Sequence, residues 1–243
     1  MTEQFDDRLL DEFAHHHYGF GNYGGQFWFI GMEEGGGTSF AEVTKRLDAW
    51  ALRGRHEVDD LAGYHAAIGI TYLFNERPKL QPTWNPLIRI VLTAKGQPCD
   101  RESVREYQKR ELGRMDGETC LVELLPLPSP DTNAWLYRDH SSLPYLADRQ
   151  AYRECLAGLR VAHLQDKLSH YQPKAVVLYG LQYQVYWRQI AGVQTWQESP
   201  EGIAHATRHQ TLFVMAQHPV ATGVTNEYFH QIGRLIAAQG CRG

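Results

Sequence analysis

Four short apolar runs alternate along the chain with longer amphipathic stretches, and this alternation constrains the fold more than any other feature. The runs are Gln26–Met32, Thr119–Leu125, Lys174–Leu178 and Leu212–Ala216. Their length and their bounding glycine, proline or polar residues are typical of buried strands. Strands that alternate with helices form parallel sheets that are covered on both faces. The sequence therefore predicts one three-layer αβα domain, residues 1–243, around a central, mainly parallel four-stranded sheet.

Amphipathic stretches between and around these runs predict the helices. After Thr38 or Ser39, either of which can cap a helix, apolar residues recur at helical spacing as far as Trp50. The other predicted helices cover residues 6–17, 57–73, 84–94, 100–112, 147–170, 182–191 and 226–238.

The composition excludes several classes of protein. Hydrophobic residues make up 43% and charged residues 21%, as in soluble globular chains rather than disordered ones. No apolar stretch approaches the roughly 18 residues that span a bilayer, and the N-terminus is acidic where a signal peptide would be basic. The cysteines Cys99, Cys120, Cys155 and Cys241 form no CxxC pair. We therefore predict a reduced cytoplasmic protein with no membrane association, no disulfide framework and no iron–sulfur or zinc-cysteine site.

The net charge of −4 restricts how the chain can contact nucleic acid. Proteins that coat nucleic acid non-specifically are usually basic. An enzyme that holds a few phosphates needs only a local basic patch, so DNA remains a candidate partner.

The carboxyl ends of the predicted strands are where a ligand is expected in such a sheet. In chain order these ends read GMEEGGG, ELLPLPSP, YGLQY and QHPVATG. The first places Glu33 and Glu34 directly after a buried strand and before three glycines, where a ligand can approach the backbone closely. An acidic turn beside a helix N-terminus explains the same residues without a ligand. A phosphate cradle is disfavoured because no GK[ST] sequence follows.

Two further polar residues stand at or near strand ends. His218 follows the last strand, where it can donate a proton or a hydrogen bond to a leaving group, although a turn histidine with a structural role is the alternative. Glu123 interrupts the apolar run LVELL, so it is either paired, at the functional end of the strand, or facing the surface. Nothing in the chain has the spacing of a zinc site, and no metal site is predicted.

Together these segments resemble the uracil-DNA glycosylase superfamily. Gly31–Gly35 matches the superfamily motif Gly-x-(Asp/Asn/Ala)-Pro-(Tyr/Gly), and Glu123–Leu127 stands against Asn-x-Cys-Pro-Leu of its single-strand-selective members. His218–Val220 stands against His-Pro-Ser. The pattern of strands and motifs spans residues 26–239, which is nearly the whole chain.

The resemblance implies an enzyme that flips a base out of DNA and hydrolyses its N-glycosidic bond. Glu33 takes the place of the residue that stabilises the oxocarbenium-like sugar and orients water, and Glu34, in place of a proline, is the reserve candidate. His218 would stabilise negative charge on a carbonyl oxygen of the base. The reaction needs no cofactor or metal, the partner is DNA that contains a modified base, and no obligatory protein partner is evident.

Departures from the superfamily motifs indicate the substrate. Where the superfamily has an asparagine that pairs with uracil, Glu123 as an ionised carboxylate would suit an exocyclic amine such as cytosine N4. Gly35, Gly36 and Gly37 stand where strict uracil enzymes place a bulky ring against the 5-position of the base. Both changes favour a 5-substituted cytosine, and glycosylases that restrict phages by excising glucosylated hydroxymethylcytosine are a precedent.

The resemblance also implies contacts around the base and along the DNA. Gly31 and Met32, with Gly35 and Gly36, would border the base, and either Phe40 or Trp84 would stack on it. Since Val220 replaces a phosphate-binding serine, that contact falls to Thr222, Thr225 or the last helix's backbone amides. Arg208 is a further candidate for a phosphate contact, and the wedge that enters the duplex is expected within 220–224.

Three other functions fit the same residues. The first is a repair glycosylase for uracil or a damaged pyrimidine. The second is a catalytically inactive protein that binds modified DNA, which the two adjacent glutamates disfavour because they repel phosphate. The third is a hydrolase of free nucleosides or another small molecule that uses the same strand ends.

Overall fold

The four predicted apolar runs lie side by side at the centre of one sheet. A computed structural model describes residues 3–131 and 133–239. Within them the strands are β1 Gly19–Gly21, β2 Phe27–Glu33, β3 Val58–Asp59, β4 Thr119–Leu125, β5 Ala175–Tyr179, β6 Gln197–Glu198, β7 Ala204–Arg208 and β8 Thr211–Ala216. They form one sheet in the order β3-β1-β4-β2-β5-β8-β7-β6. The central strands β4, β2, β5 and β8 are parallel, as predicted.

The prediction of a four-stranded sheet is wrong at both edges, where short strands make the sheet mixed. On one side β1 is antiparallel to β4 and parallel to β3. On the other side β7 is antiparallel to β8, and β6 is antiparallel to β7. The glycines of β1 read as a turn in the sequence. In the structure a Cβ at Gly19 would lie 2.2 Å from the Leu121 carbonyl oxygen, so glycine allows β1 and β4 to approach.

The helices follow the predicted amphipathic stretches with two exceptions, one of which is the four-residue helix Tyr137–His140, where the sequence predicts no helix. Residues 57–73 were predicted to be one helix, but β3 and the short helix α3 occupy this region, and Asp60 caps α3 by accepting from the Gly63 N–H at 2.8 Å. Single 3₁₀ turns cover Pro144–Leu146 and Leu181–Tyr183. The helices are α1 Asp7–His16, α2 Phe40–Leu52, α3 Leu61–Ala67, α4 Trp84–Ala94, α5 Arg101–Arg110, α6 Tyr137–His140, α7 Arg149–Tyr171, α8 Gln184–Ala191 and α9 Asn226–Gln239.

Two groups of helices pack separately from each other. Helix α4 contacts α9 and α5, whereas α7 contacts α8 and strand β4. The first group is held at close range, since a Cβ at Gly233 of α9 would lie 2.5 Å from the Thr93 side chain of α4. The centre of the sheet is buried, since Trp28 and Ile30 of β2 have no exposed surface.

No helix of the described residues is both long and apolar enough to cross a bilayer. The described cysteines Cys99, Cys120 and Cys155 carry free thiols. Cys241 lies outside the described residues.

Candidate active site at the carboxyl edge of the sheet

A cavity of about 740 Å³ opens beyond the carboxyl ends of the four parallel strands. Glu33 at the end of β2, Glu123 of β4 and His218 after β8 all line it, together with Tyr179 at the end of β5. The three chain segments that carry the sequence motifs therefore share one cavity. Glu34, Met32, Gly35 and Trp84 also belong to its wall.

Gly31 makes room for a contact between the strands on either side of it. It pairs with Glu123 of β4, and because Ile30 pairs with Leu178 of β5, Tyr179 is its neighbour on the other side. A Cβ on Gly31 would lie 2.2 Å from Glu123 Oε2 and 2.3 Å from the Tyr179 hydroxyl oxygen. Over this gap the Tyr179 hydroxyl donates a 2.7 Å hydrogen bond to Glu123 Oε1.

The Glu123 carboxyl group is predominantly protonated at neutral pH. Burial raises the pKa of Glu123 to about 8; the Tyr179 hydrogen bond opposes this rise, and the charges of Glu34 and Glu33 add to it. Oε2 is buried and has no hydrogen-bond partner among the described residues, which is costly for a carboxylate and tolerable for an acid. The expectation of an ionised Glu123 is thus not supported, because the sequence alone does not reveal this burial.

Glu33 is ion-paired, yet one of its oxygens remains free. Arg149 of α7 donates to Glu33 Oε2. The same guanidinium donates to Ser129 Oγ at 2.6 Å and to the carbonyl oxygen of Ala134 at 2.7 Å, so it also holds the segment after β4. Burial raises the pKa of Glu33, and Arg149 opposes this rise. Glu33 Oε1 is buried and has no hydrogen-bond partner among the described residues.

Glu34 is tied to the helix that follows it. Arg46 of α2 donates to Glu34 Oε1 at 2.7 Å and to Glu42 Oε1 at 3.0 Å. Glu42 in turn accepts from the backbone N–H groups of Gly37 at 3.1 Å and Thr38 at 2.9 Å. These bonds fix the path of the loop between β2 and α2.

The three glycines of that loop do different things. Gly36 and Gly37 have φ of +110° and +66°, and a Cβ would lie 2.4 Å from Arg46 Nη2 at the first and 2.3 Å from the Pro128 carbonyl oxygen at the second. A Cβ at Gly35 would meet no atom within 4 Å. Gly35 alone of the three lines the cavity, and it leaves that part of the wall open.

His218 is arranged as a neutral hydrogen-bond donor. Its ring lies edge-on to Tyr179, with the ring centroids 5.6 Å apart and the planes at 66°. Nδ1 accepts from the Val220 backbone N–H at 3.4 Å, which leaves the proton of the neutral ring on Nε2. Burial lowers the pKa of His218, so the neutral form dominates at pH 7.

Several cavity residues were not identified from the sequence. Tyr179 directly follows a predicted strand and could have been found by the rule that located Glu33. Arg46 interrupts the apolar stripe of its helix, which was an available signal. His17 gives no such signal: it is buried at the cavity wall, neither ring nitrogen has a partner in the described residues, and burial lowers its pKa to about 4.

The two candidates for a stacking aromatic are separated by the structure. Trp84 lines the cavity and lies edge-on to His65 at 5.3 Å between ring centroids. Phe40 is not part of the wall and instead stacks on Phe5 at 4.6 Å and contacts His140 at 4.9 Å. The structure therefore does not support Phe40 as a base-stacking residue, because its apolar face belongs to the packing of α2.

The predicted DNA-contacting residues are also divided. Val220 is 53% exposed at the cavity wall, and Thr222 is exposed just after it. Thr225 accepts at Oγ1 from the Tyr228 backbone N–H at 3.4 Å, at the start of α9. Arg208 pairs with Thr211 at the amino end of β8, at the opposite edge of the sheet from the cavity. A contact from Arg208 to DNA bound at the cavity is not supported, because the antiparallel strand β7 ends beside the amino end of β8.

No cluster of three or more potential metal ligands occurs in the part of the chain that the structure describes. Neither a protein-family profile nor a curated protein sequence matches the chain.

Proposed function

We propose that the protein is a DNA glycosylase that hydrolyses the N-glycosidic bond of a flipped, 5-substituted pyrimidine, with 5-substituted cytosine as the favoured base. The observation that carries the proposal is the shared cavity of Glu33, Glu123 and His218. A small-molecule site of another class has no need for three segments that resemble superfamily motifs in superfamily order. The parallel centre of the sheet, formed by β4, β2, β5 and β8, supports the proposal because the resemblance implies such a sheet.

Glu33 is the proposed catalytic carboxylate. When the base departs, positive charge grows on the sugar, and a nearby carboxylate stabilises it and orients the attacking water. Glu33 Oε1 has no partner among the described residues and is the proposed acceptor for that water once the substrate is bound, while Arg149 holds the other oxygen in place. Glu34 has its Oε1 engaged by Arg46 and stays the second candidate.

His218 is proposed to act on the leaving group. Its Nε2–H can donate to a carbonyl oxygen of the base on which negative charge develops. A neutral donor suits this role because it avoids a costly buried cation when the cavity is empty, and the lowered pKa of His218 keeps it neutral.

The space around Gly35 supports a substituent at the 5-position. The cavity volume lies within the ~300–1,000 Å³ of sites for ligands larger than a bare base. The absent side chain at Gly35 leaves an opening in the wall. A hydroxymethyl or glucosylated hydroxymethyl group is the proposed occupant, as in phage DNA, which suggests a defence role.

A protonated Glu123 permits more than one group at the 4-position of the base, whereas an ionised Glu123 would accept only a hydrogen-bond donor there. A protonated Glu123 offers one donor and one acceptor, which complement N3 and the amino group of cytosine. The same two groups complement O4 and N3–H of uracil. This observation favours repair of uracil or a damaged pyrimidine as the second candidate function.

A panel of duplexes tests the proposal. Each carries one cytosine, uracil, 5-hydroxymethylcytosine or glucosylated 5-hydroxymethylcytosine, and alkali-labile abasic sites are scored for the wild type, E33Q and E34Q. We expect sites at the 5-substituted cytosines with the wild type and a large loss with E33Q. Sites at uracil alone would support the repair function. Binding without cleavage would indicate a catalytically inactive protein that binds modified DNA. Equal activity on free nucleosides would indicate a small-molecule hydrolase.

A further inference from the structure

The Glu123 carboxyl group is held in one orientation by its neighbours. Oε1 accepts the 2.7 Å hydrogen bond from Tyr179, whereas Oε2 lies over Gly31, is inaccessible to water and has no partner in the described residues. The neutral acid carries one transferable proton and keeps acceptor capacity for the Tyr179 hydrogen bond. The side chain is nevertheless part of the cavity wall and within the space that a flipped base would enter.

The charged groups around Glu123 keep its proton in place. Glu33 and Glu34 at the end of β2 are anionic neighbours, and Tyr179 of β5 faces the carboxyl group with His218 against its ring. Arg160 of α7 is the cation that lies nearby. Its guanidinium is directed to main-chain oxygens, among them those of Glu123 at 3.1 Å and His17 at 2.8 Å, and it makes no bond to the carboxyl group.

A base with a 4-amino group, such as cytosine, needs a proton donor in order to leave the sugar readily. When the C1′–N1 bond breaks, the electron pair goes to the base. Uracil carries this charge on two carbonyl groups, so it departs more easily than cytosine, which has only one. Transfer of a proton to N3 lets cytosine leave as a neutral molecule, and such proton transfers contribute roughly 10²–10⁴-fold to rates.

We propose that Glu123 is a catalytic acid that donates its carboxyl proton to ring nitrogen N3 of the departing 4-aminopyrimidine, with Tyr179 as the residue that positions it. This inference rests on the proposed glycosylase function. As the C1′–N1 bond breaks, N1 takes the electron pair and N3 takes the proton, so that Glu123 becomes a carboxylate. Water adds to C1′ and gives its proton to Glu33. After the products leave, proton exchange with solvent returns Glu33 to its carboxylate form and Glu123 to its acid form.

The experiment compares two bases that differ only at the 4-position. Duplexes of one sequence carry 5-hydroxymethylcytosine or 5-hydroxymethyluracil, each with and without a glucosyl group, and single-turnover excision is measured from pH 6 to 9.5. For the wild type we expect excision of the cytosine derivative to decline above about pH 8, as Glu123 loses its proton. We expect a smaller decline for the uracil derivative, which needs no transferred proton and loses only the hydrogen bond from Glu123 to O4.

Three variants separate proton transfer from shape. E123Q keeps the size and hydrogen-bonding groups but has no transferable proton, so we expect a loss of about 10²-fold or more on the cytosine derivative only, without the alkaline decline. Y179F removes the bond that lowers the pKa of Glu123, so the decline moves to higher pH. E33Q, the control, loses activity on both bases.

Two results would overturn the inference while leaving the proposed function intact. One is an equal loss on both bases in E123Q; the other is an alkaline decline that E123Q and Y179F leave unchanged. If E123Q does not fold, the Y179F shift decides alone. No excision of any base by the wild type would instead remove the proposed function, and the inference with it.

Discussion

The Arg46 guanidinium donates a 2.7 Å hydrogen bond to Oε1 of Glu34, and both side chains are largely buried beside the cavity. The same guanidinium reaches Glu42, which holds the backbone of the glycine loop. Ion pairs of Arg46 therefore hold this part of the cavity wall, which contains Glu34 and the glycine loop. Breaking one partner of such a pair leaves an uncompensated charge, which costs far more than the pair contributes.

R46M should destabilise the protein by about 3–5 kcal/mol, since it leaves Glu34 buried without its cation. Urea unfolding measures the change. R8M is the matched control, because Arg8 pairs with Glu12 at the same i,i+4 spacing as Arg46 with Glu42 but is 88% exposed. We expect R8M to cost less than about 1 kcal/mol. Equal effects of the two substitutions would contradict the structural role of Arg46.

E33Q should reduce single-turnover excision by about 10²–10⁴-fold, because the free Oε1 of Glu33 is the proposed water-binding atom. E34Q should reduce it less, since Glu34 Oε1 already accepts from Arg46. Rates with saturating enzyme on one modified duplex measure both. A larger loss in E34Q than in E33Q would exchange the roles of the two carboxylates.

G35F should close the opening that admits a 5-substituent. Gly35 has room for a side chain, unlike Gly36 and Gly37 with their positive φ angles. We expect excision of glucosylated 5-hydroxymethylcytosine to fall by about 10-fold or more, while excision of a base without a 5-substituent is retained. Relative rates on the two duplexes provide an internal control for folding. A uniform loss would show that the substituent is accommodated elsewhere.

His17 should make stability depend on pH below neutrality. Burial lowers its pKa to about 4, from an ordinary value of 6.5, so the unfolded chain binds more protons between these values. The free energy of unfolding therefore falls as the pH is lowered from about 6.5 toward 4, by up to about 3 kcal/mol. H17F keeps an aromatic ring against Phe13 and should remove this part of the slope. Urea unfolding at several pH values measures it, and an unchanged slope would contradict a neutral, buried His17.

The strands at the centre of the sheet were predictable because they are continuous apolar runs with clear boundaries. β1 and β3 were not, since they contain two or three residues and few apolar ones, and their pairing depends on strands distant in the sequence. The two-residue strand β6 pairs only with β7. Such edge strands are defined by tertiary contacts rather than by local patterns.

The location of the candidate site in the fold was predictable from the sequence. Parallel strands end at one edge, which was enough to bring Glu33, Glu123 and His218 together. The state of each group was not predictable, since it depends on burial and on partners from other elements, such as Tyr179 for Glu123. For Phe40 the sequence alone was ambiguous. Its spacing fits the apolar face of α2, and its aromatic ring also fits a base-stacking role. The stacking of Phe40 on Phe5 in the structure favours the packing role.

The proposed glycosylase function is tested most directly by mass-spectrometric detection of free base after incubation with a duplex that carries one glucosylated 5-hydroxymethylcytosine. We expect the wild type to release the intact modified base and leave one abasic site per duplex, and E33Q to release little of it. A wild-type protein that leaves this duplex and its uracil and 5-hydroxymethylcytosine counterparts intact would contradict the proposed function.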